Sequence, residues 1–332
     1  MSNRTLGRAP ALAAPGRSAG RQPPTPADRR SLGSPSAASR PFARSVVTVA
    51  PGAPPEHLFR SLLSAYLGGA TDFEVRERRG LSPTTREIVR EFCRRTSGPQ
   101  LVRAAPDALE LVDLDPQGAP PLDVRLGQLG EKVLSFHRES AESWTLLPFG
   151  DERFWERRDD EVDREAWAVE REVSRLDRAP ARARGETAAL WTVARSLERI
   201  ADHAVTLGEV GPRLADLGAD GGLLRELRQF HRQAMDHLEA VLRGSDADRT
   251  NDLLDVGEAL AAGGRTLAER LLPAVEGRAM SPASAAAVAR AVEAISRTIA
   301  YSQDIAQAYF DRATVRARGA GGLPAGARSA AP

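Results

Sequence analysis

Two acidic residues, Glu198 and Asp202, stand four positions apart on an amphipathic segment of the chain. Residues at i and i+4 project from the same face of an α-helix. The apolar stripe of this segment is centred on Leu197, and helical geometry places both carboxylates at its edge. Carboxylate oxygens are ligands that hard divalent cations and iron accept. The spacing is therefore consistent with a metal site in which Glu198 and Asp202 are direct ligands.

Two other interpretations of the same pair stay open. Arg195 and Arg199 each stand three residues from one of the acids, so they can neutralise the pair as ordinary surface ion pairs. Like charges at i and i+4 repel by only roughly 0.2–0.5 kcal/mol, which such arginines offset. The pair can also bind a partner protein. The sequence alone does not choose among these roles.

Other catalytic or cofactor chemistry is not indicated. The chain has no Walker loop, no G-x-S-x-G elbow and no H-E-x-x-H motif. The one cysteine, Cys93, excludes an internal disulfide framework and a cysteine-based zinc cluster, and it fits a reducing compartment. We therefore expect a cytoplasmic protein that is not an enzyme.

Residues 45–118 predict a small α/β unit. Short β-branched or apolar runs indicate four strands, and two amphipathic segments between them begin at proline and end at glycine. The order β-α-β-α-β-β is typical of a mixed sheet with helices on one face. No glycine-rich nucleotide fingerprint follows a strand, so the sequence does not identify a ligand for this unit.

The remainder of the folded region predicts helices only. Short connections between amphipathic helices favour antiparallel bundles. Because the apolar face of each helix needs a partner, the six helices are expected to form two bundles of three. We expect an α+β protein, mainly α, with one three-helix bundle over 119–210 and a second over 219–313. The six predicted helices span residues 121–143, 152–177, 184–209, 220–243, 246–272 and 282–315.

Both ends of the chain differ in composition from the rest. Residues 1–44 hold eight arginines and one acidic residue among proline, alanine, serine and glycine, without a hydrophobic period. Such a segment buries too little apolar surface to offset its chain entropy, so we expect disorder there and in residues 314–332. The basic arm is a solvated tail that touches its own acidic body, an arm for nucleic acid or anionic lipid, or an organelle transit peptide.

An internal repeat supports the grouping of the helices. The segments LERIADHAVTLGE and ISRTIAYSQDIAQ begin at Leu197 and Ile295, and an offset of 98 residues aligns Arg199 with Arg297. Each segment lies in the last helix of its group of three. The simplest explanation is an internal duplication of a three-helix unit.

The run LERIADHAVTLGE resembles the signature that closes each half of PhoU proteins, which regulate bacterial and archaeal phosphate uptake. The α/β unit is similar to the middle region of PhoU-like proteins that carry an N-terminal AbrB-type DNA-binding domain. The resemblance implies a non-enzymatic regulatory adaptor of phosphate uptake and phosphate signalling. Its implied partners are the ATPase subunit of a phosphate ABC transporter or a sensor histidine kinase, with a homodimer as a further expectation. The protein would then meet the membrane only through these partners.

Two departures from the PhoU pattern affect the expected site. In PhoU proteins with metal clusters, E(D)xxxD pairs supply the ligands, whereas the sixth predicted helix has Ser296 and Ala300 at the matching positions. The second predicted helix has Ala166 and Glu170 there. The resemblance therefore implies, at most, an iron or other divalent cation site in which Glu170 assists the acidic pair of the third helix.

The second departure is that no AbrB-type strand pattern precedes the α/β unit, where only the basic arm stands. The DNA-binding role of those relatives is therefore not carried over, and nucleic acid is not the expected partner. The alternative function is a DNA-associated transcriptional regulator that uses the basic N-terminal arm.

Overall fold

The two basic ends lie mostly outside the part of the chain that the structure describes. The prediction of disorder over residues 1–44 is wrong at Arg44, which begins the first strand. Residues 1–43 lie outside the described residues, so neither their predicted disorder nor the DNA-binding alternative that depends on them is tested. The computed structural model describes residues 44–50, 52–78, 80–114, 120–145, 153–177, 184–215, 222–244, 247–270, 273, 276 and 280–319.

The α/β unit has the predicted order of elements. Its strands are paired in the order β1-β2-β4-β3, with β1 parallel to β2 and the other pairs antiparallel. The sheet is therefore mixed, as expected. The bounds are β1 (Arg44–Val49), α1 (Pro55–Leu67), β2 (Asp72–Glu77), α2 (Pro83–Arg95), β3 (Pro99–Ala104) and β4 (Ala108–Asp113).

The two helices of this unit cover one face of the sheet. Tyr66 of α1 and Phe92 of α2 are fully buried and contact each other edge to face, and Phe92 also packs on Phe73 of β2. On the opposite face Glu74 is covered by the side chains of Arg44 and Arg76, both of which form ion pairs with it. One face of the sheet is thus apolar and the other charged, which matches the alternation along the strands.

Six long helices follow, and all six predicted segments are helical. The third helix of each group of three lies at the centre: α5 packs against α3, α4 and α8, whereas α8 packs against α5, α6 and α7. The protein is therefore mainly α with one small sheet, which confirms the predicted fold class. These helices are α3 (Leu122–Glu142), α4 (Phe154–Asp177), α5 (Arg184–Ala215), α6 (Gly222–Arg243), α7 (Ala247–Glu269) and α8 (Pro282–Gly319).

Helix α5 continues beyond its predicted end at residue 209. A Cβ atom added at Gly208 would overlap the ring of Trp155 on α4, and one added at Gly211 would overlap the Ser143 hydroxyl after α3. The glycines therefore allow neighbouring elements to approach closely, and they do not terminate the helix. Pro212 also lies inside the last turns of α5.

The end of α8 corrects one prediction. Residues 314–319 were assigned by composition to a disordered tail, but they continue the helix. The physical reason is a set of ion pairs that composition does not show: Arg312 and Arg316 of α8 both pair with Glu186 at the start of α5. Among the described residues, no helix is long and apolar enough to cross a lipid bilayer.

The α/β unit is attached to the helices by a buried ion-pair network. Asp113 at the end of β4 pairs through Oδ2 with Nη2 of Arg171 at 2.6 Å and with Nη2 of Arg175 at 3.0 Å. Arg171 also donates to the Ala70 carbonyl, and its guanidinium lies 4.2 Å from the ring centroid of Tyr66. The described residues accordingly all belong to one compact unit. The domain boundaries proposed from the sequence stay a prediction.

Two buried histidines connect the first three helices to the last three. Nδ1 of His137 on α3 lies 3.4 Å from Nε2 of His231 on α6, and Nε2 of His137 lies 2.8 Å from the carbonyl of Ile200 on α5. Burial lowers the pKa of His137 to about 3 and that of His231 to about 4. Both rings are therefore neutral at physiological pH.

We expect Arg171→Met to lower the free energy of unfolding by about 3 kcal/mol, because it leaves a buried carboxylate with one partner fewer. The measurement is urea unfolding followed by circular dichroism. The matched control is Arg290→Met on α8, whose ion pair with Glu209 is exposed and whose loss should cost less than about 0.5 kcal/mol. Equal stability of the two variants would contradict a structural role for the Asp113 network.

Candidate functional site

The predicted metal ligands lie on α5 at the edge of its buried stripe. Leu197, Ile200 and Ala201 are buried in the core, Glu198 is half-buried beside them, and Asp202 lies further toward solvent. Within the described part of the chain, the carboxylates of Glu198 and Asp202 form no hydrogen bond and no ion pair. Both acids are thus placed as helical geometry predicts, and the carboxylate oxygens of both can still accept hydrogen bonds or bind a cation.

The two arginines expected to neutralise this pair are engaged elsewhere. Nε of Arg195 lies 3.7 Å from Glu170, and its guanidinium lies 5.3 Å from the ring centroid of Trp191. Arg199 donates from Nη1 to the hydroxyl of Tyr301 on α8 at 3.1 Å. Among the described contacts, neither arginine forms an ion pair with a carboxylate of α5, but the charges of both lower the pKa of Glu198 and that of Arg199 lowers the pKa of Asp202.

Glu170 is close to the pair but already has partners. Its side chain is almost completely buried on α4, where Oε2 accepts a hydrogen bond from Nε1 of Trp191 at 3.1 Å. Burial raises the pKa of Glu170, and Arg195 opposes this shift. The charge of Glu170 in turn contributes to raising the pKa of Glu198. The assisting role of Glu170 at a metal stays a prediction.

Helix α4 brings two further acids to the same place, and the sequence analysis missed them. Burial raises the pKa of Asp159 to about 7, and the charges of Asp163 and Asp202 add to this shift. Burial also raises the pKa of Asp163 to about 7, with the charge of Glu198 as the next cause. The pKa of Glu198 is likewise raised to about 7, first by burial and then by Asp202. These four residues, Asp159, Asp163, Glu198 and Asp202, are called the carboxylate cluster below.

A signal for the missing pair is present in the sequence. Asp159 and Asp163 stand four residues apart, the same spacing as Glu198 and Asp202. They are part of a dense charge run over residues 156–163, a pattern typical of a solvated helix face. The spacing of the PhoU pattern points to Ala166 and Glu170 instead. Ala166 is fully buried in the helical core.

The α/β unit supplies counter-charge at one edge of the carboxylate cluster. Arg95 at the end of α2 pairs through Nε with Oδ1 of Asp160 at 2.9 Å and through Nη2 with Oδ2 of Asp163 at 2.9 Å. Its guanidinium also lies 5.2 Å from the ring centroid of Trp167 on α4. Asp163 is thus partly neutralised, whereas Asp159 and the two acids of α5 face one another.

The carboxylate cluster has the donor chemistry of a cation site but not a formed ligand set. Its oxygens are the kind that iron and other hard cations bind. However, no group of three or more His, Cys, Asp or Glu side chains in the described ranges is arranged to hold a metal ion. As it stands, the arrangement concentrates negative charge between two helices, and a cation or a basic group of a partner would relieve that repulsion.

Comparison with known proteins places the helices in context. A family model described as the PhoU domain matches residues 127–210. The crystal structure of PhoU from Pseudomonas aeruginosa is similar at 15% identity and a TM-score of 0.52, over 57% of this chain and 93% of that chain. The phosphate transport system regulatory protein PhoU from Streptococcus pneumoniae matches at 16% identity and a TM-score of 0.49, over 57% and 91% of the two chains. No curated protein sequence matches.

The helical region therefore defines a protein of the PhoU fold class, in which two groups of three helices pack side by side. The match of the PhoU domain model to residues 127–210 confirms the resemblance to PhoU proteins that the run beginning at Leu197 indicates.

We expect Glu198→Gln to raise the free energy of unfolding of the metal-free protein at pH 8 by about 1 kcal/mol. This is less than the full pKa shift of Glu198 would give, because the side chain is partly solvated. A carboxyl whose pKa is raised on folding destabilises the fold above that pKa, near 7, and the penalty fades as pH falls toward its unfolded value. The gain should therefore vanish near pH 4.5. The measurement is Tm against pH in the presence of a chelator.

The control for this experiment is Glu209→Gln, an exposed acid of the same helix. The buried histidines destabilise the fold as pH falls, because they must become protonated. This effect is the same in the wild type and in both variants, so it cancels when their Tm values are compared. A Glu198→Gln variant less stable than the wild type at pH 8 would contradict the assigned repulsion.

If the carboxylate cluster holds iron or another divalent cation, removing either half of it should reduce bound metal in the purified chain at least tenfold. The two double variants are Glu198→Ala with Asp202→Ala, and Asp159→Ala with Asp163→Ala. The measurement is elemental analysis after gel filtration, with Glu209→Ala as the control. Equal metal content in all four proteins would remove the metal hypothesis.

Proposed function

We propose that this protein is a non-enzymatic regulatory adaptor of phosphate uptake and phosphate signalling. The single observation that carries the proposal is the PhoU domain at residues 127–210. The similarity of the helical region to a PhoU crystal structure supports the same class of architecture. The sequence offers no catalytic motif that would favour an enzyme.

The physical basis of adaptor function is a scaffold that presents acidic groups which are only partly neutralised. Helices α5 and α8 form the centre of this scaffold, and α4 lies on α5 with the carboxylate cluster between them. A cluster in which only Asp163 has a described ion pair attracts basic side chains and increases the rate at which a positively charged partner associates. The acidic edge of α4 and α5 is therefore the surface that we assign to a partner with exposed arginine or lysine.

The proposed partners are the ATPase subunit of a phosphate ABC transporter or a sensor histidine kinase. Either protein would bring this chain to the membrane. A homodimer is compatible with such a role. The charge of the carboxylate cluster then acts as the recognition element, and binding replaces repulsion between carboxylates with charge-assisted hydrogen bonds.

The test is affinity purification of the tagged chain from phosphate-starved and phosphate-replete cells, with mass spectrometry of the retained proteins. We expect transporter or kinase components with the wild-type chain and a loss of at least tenfold when all four acids of the carboxylate cluster are changed to their amides. The matched control neutralises four exposed acids of α7 and should retain the partners. These control residues are Asp252, Asp255, Glu258 and Glu269.

Recovery of neither class of component from starved or replete cells would contradict the adaptor proposal. Recovery that is unchanged by neutralising the carboxylate cluster would contradict the assigned surface and leave the adaptor role supported.

A further inference from the structure

A cavity of about 340 Å³ lies at one end of the helical region. It is bordered by the start of α3, the end of α6 and the last turns of α8, so both groups of three helices contribute to it. Its lining includes the side chains of Arg243, Arg312 and Arg316. The apolar part of the lining, called the apolar wall below, includes Leu126 and Leu242. A cavity that combines cationic and apolar side chains can bind an anionic group joined to an organic body.

Arg312 is the central cation, and it has donor capacity to spare. The residue is only 9% exposed. Its Nη1 pairs with Oδ1 of Asp123 at 2.8 Å, and its Nε lies 3.4 Å from Oε1 of Glu186. Its Nη2 is buried and has no hydrogen-bond partner in the described structure. A buried guanidinium nitrogen without an acceptor is unfavourable, and an acceptor in the adjacent cavity would satisfy it.

Asp123 occupies the place that an anionic ligand would take. Its side chain is 64% exposed in the first turn of α3, so its ion pair with Arg312 faces solvent and is weak. The three arginines are balanced by this carboxylate together with Glu186 and Glu239, so a ligand anion must replace one of the acids. Asp123 is the most exposed of the three acids, so we expect a ligand anion to displace it and to accept hydrogen bonds from Nη1 and Nη2 of Arg312.

The remaining lining residues fit a phosphate ester. Arg316 is exposed beside Arg312; its Nε donates to Glu186 at 2.9 Å and its Nη2 also pairs with Glu186, which leaves Nη1 as a donor for a ligand. Burial raises the pKa of Tyr309, which keeps its hydroxyl protonated and able to donate to an oxyanion. The apolar side, with Leu126 and Leu242, leaves space for a ring that one inorganic phosphate ion would not fill.

We propose that this cavity binds a small organic phosphate monoester of the nucleoside monophosphate class, with its phosphate on Arg312 and Arg316 and its ring against the apolar wall. This inference does not depend on the adaptor function, because it concerns binding by the isolated chain.

The test is isothermal titration calorimetry of the full chain with adenosine monophosphate, adenosine and inorganic phosphate. We expect one molecule of the monophosphate to bind, and each of the other two probes to bind at least tenfold more weakly, because each lacks one half of the recognised group. Monophosphate binding no tighter than that of inorganic phosphate, or no tighter than that of adenosine, would overturn the proposal.

Two variants shift the affinity in opposite directions, which a general loss of structure cannot imitate. Gly127 lines the cavity on α3, and a Cβ added there meets nothing within 4 Å, so Gly127→Leu fills the space while favouring the helix. It should weaken binding at least tenfold. Asp123→Asn removes the competing charge and should tighten binding roughly threefold to tenfold, the effect of one exposed charge pair.

The matched control is Gly263→Leu on α7, where an added Cβ also meets nothing within 4 Å and which does not line the cavity. It should leave the affinity unchanged. Unchanged binding in Gly127→Leu, or weaker binding in Asp123→Asn, would place the monophosphate elsewhere and contradict the assigned cavity.

Discussion

The packing of α5 against α8 is the constraint on which the other helices depend. Each of these two helices is contacted by two others of its own group, so their spacing sets the position of all six. Small side chains permit this spacing, because alanine lets two backbones approach closely while the core keeps its density. Both helices bury alanine along their length: Ala189, Ala194, Ala201 and Ala204 on α5, and Ala287, Ala291, Ala294, Ala306 and Ala308 on α8.

The same constraint explains why negative charge accumulates on one side of α5. Once the apolar stripe of α5 is fixed against its neighbours, the residues at the edge of the stripe have no freedom to avoid α4. Asp159 and Asp163 then meet Glu198 and Asp202. Arg95 of the α/β unit pairs with Asp163, whereas Arg195 and Arg199 lower the pKa of Glu198 only by their charge. This arrangement opposes stability, which is common where a surface is kept for binding.

The sequence predicted the order and type of the elements because hydrophobic periodicity and proline or glycine boundaries are local signals. Local signals were insufficient where contacts between distant segments determine a helix end or the surroundings of a side chain. Gly208 indicated a helix end, but close packing against Trp155 explains its presence within a continuing helix. Asp159 and Asp163 were hidden in a run of charges, because no sequence pattern shows which members of such a run face another helix. The partners of Glu170 and Arg312 are equally non-local.

The contact between the two buried histidines also determines where each ring carries its hydrogen. The carbonyl of Ile200 can only accept, so the neutral ring of His137 carries its proton on Nε2. Its Nδ1 must then accept, which requires the proton of His231 to be on Nε2 as well. One backbone carbonyl therefore fixes the tautomers of two side chains on two other helices, and the direction of donation runs from α6 through α3 to α5. A flip of either ring would break at least one of these two hydrogen bonds.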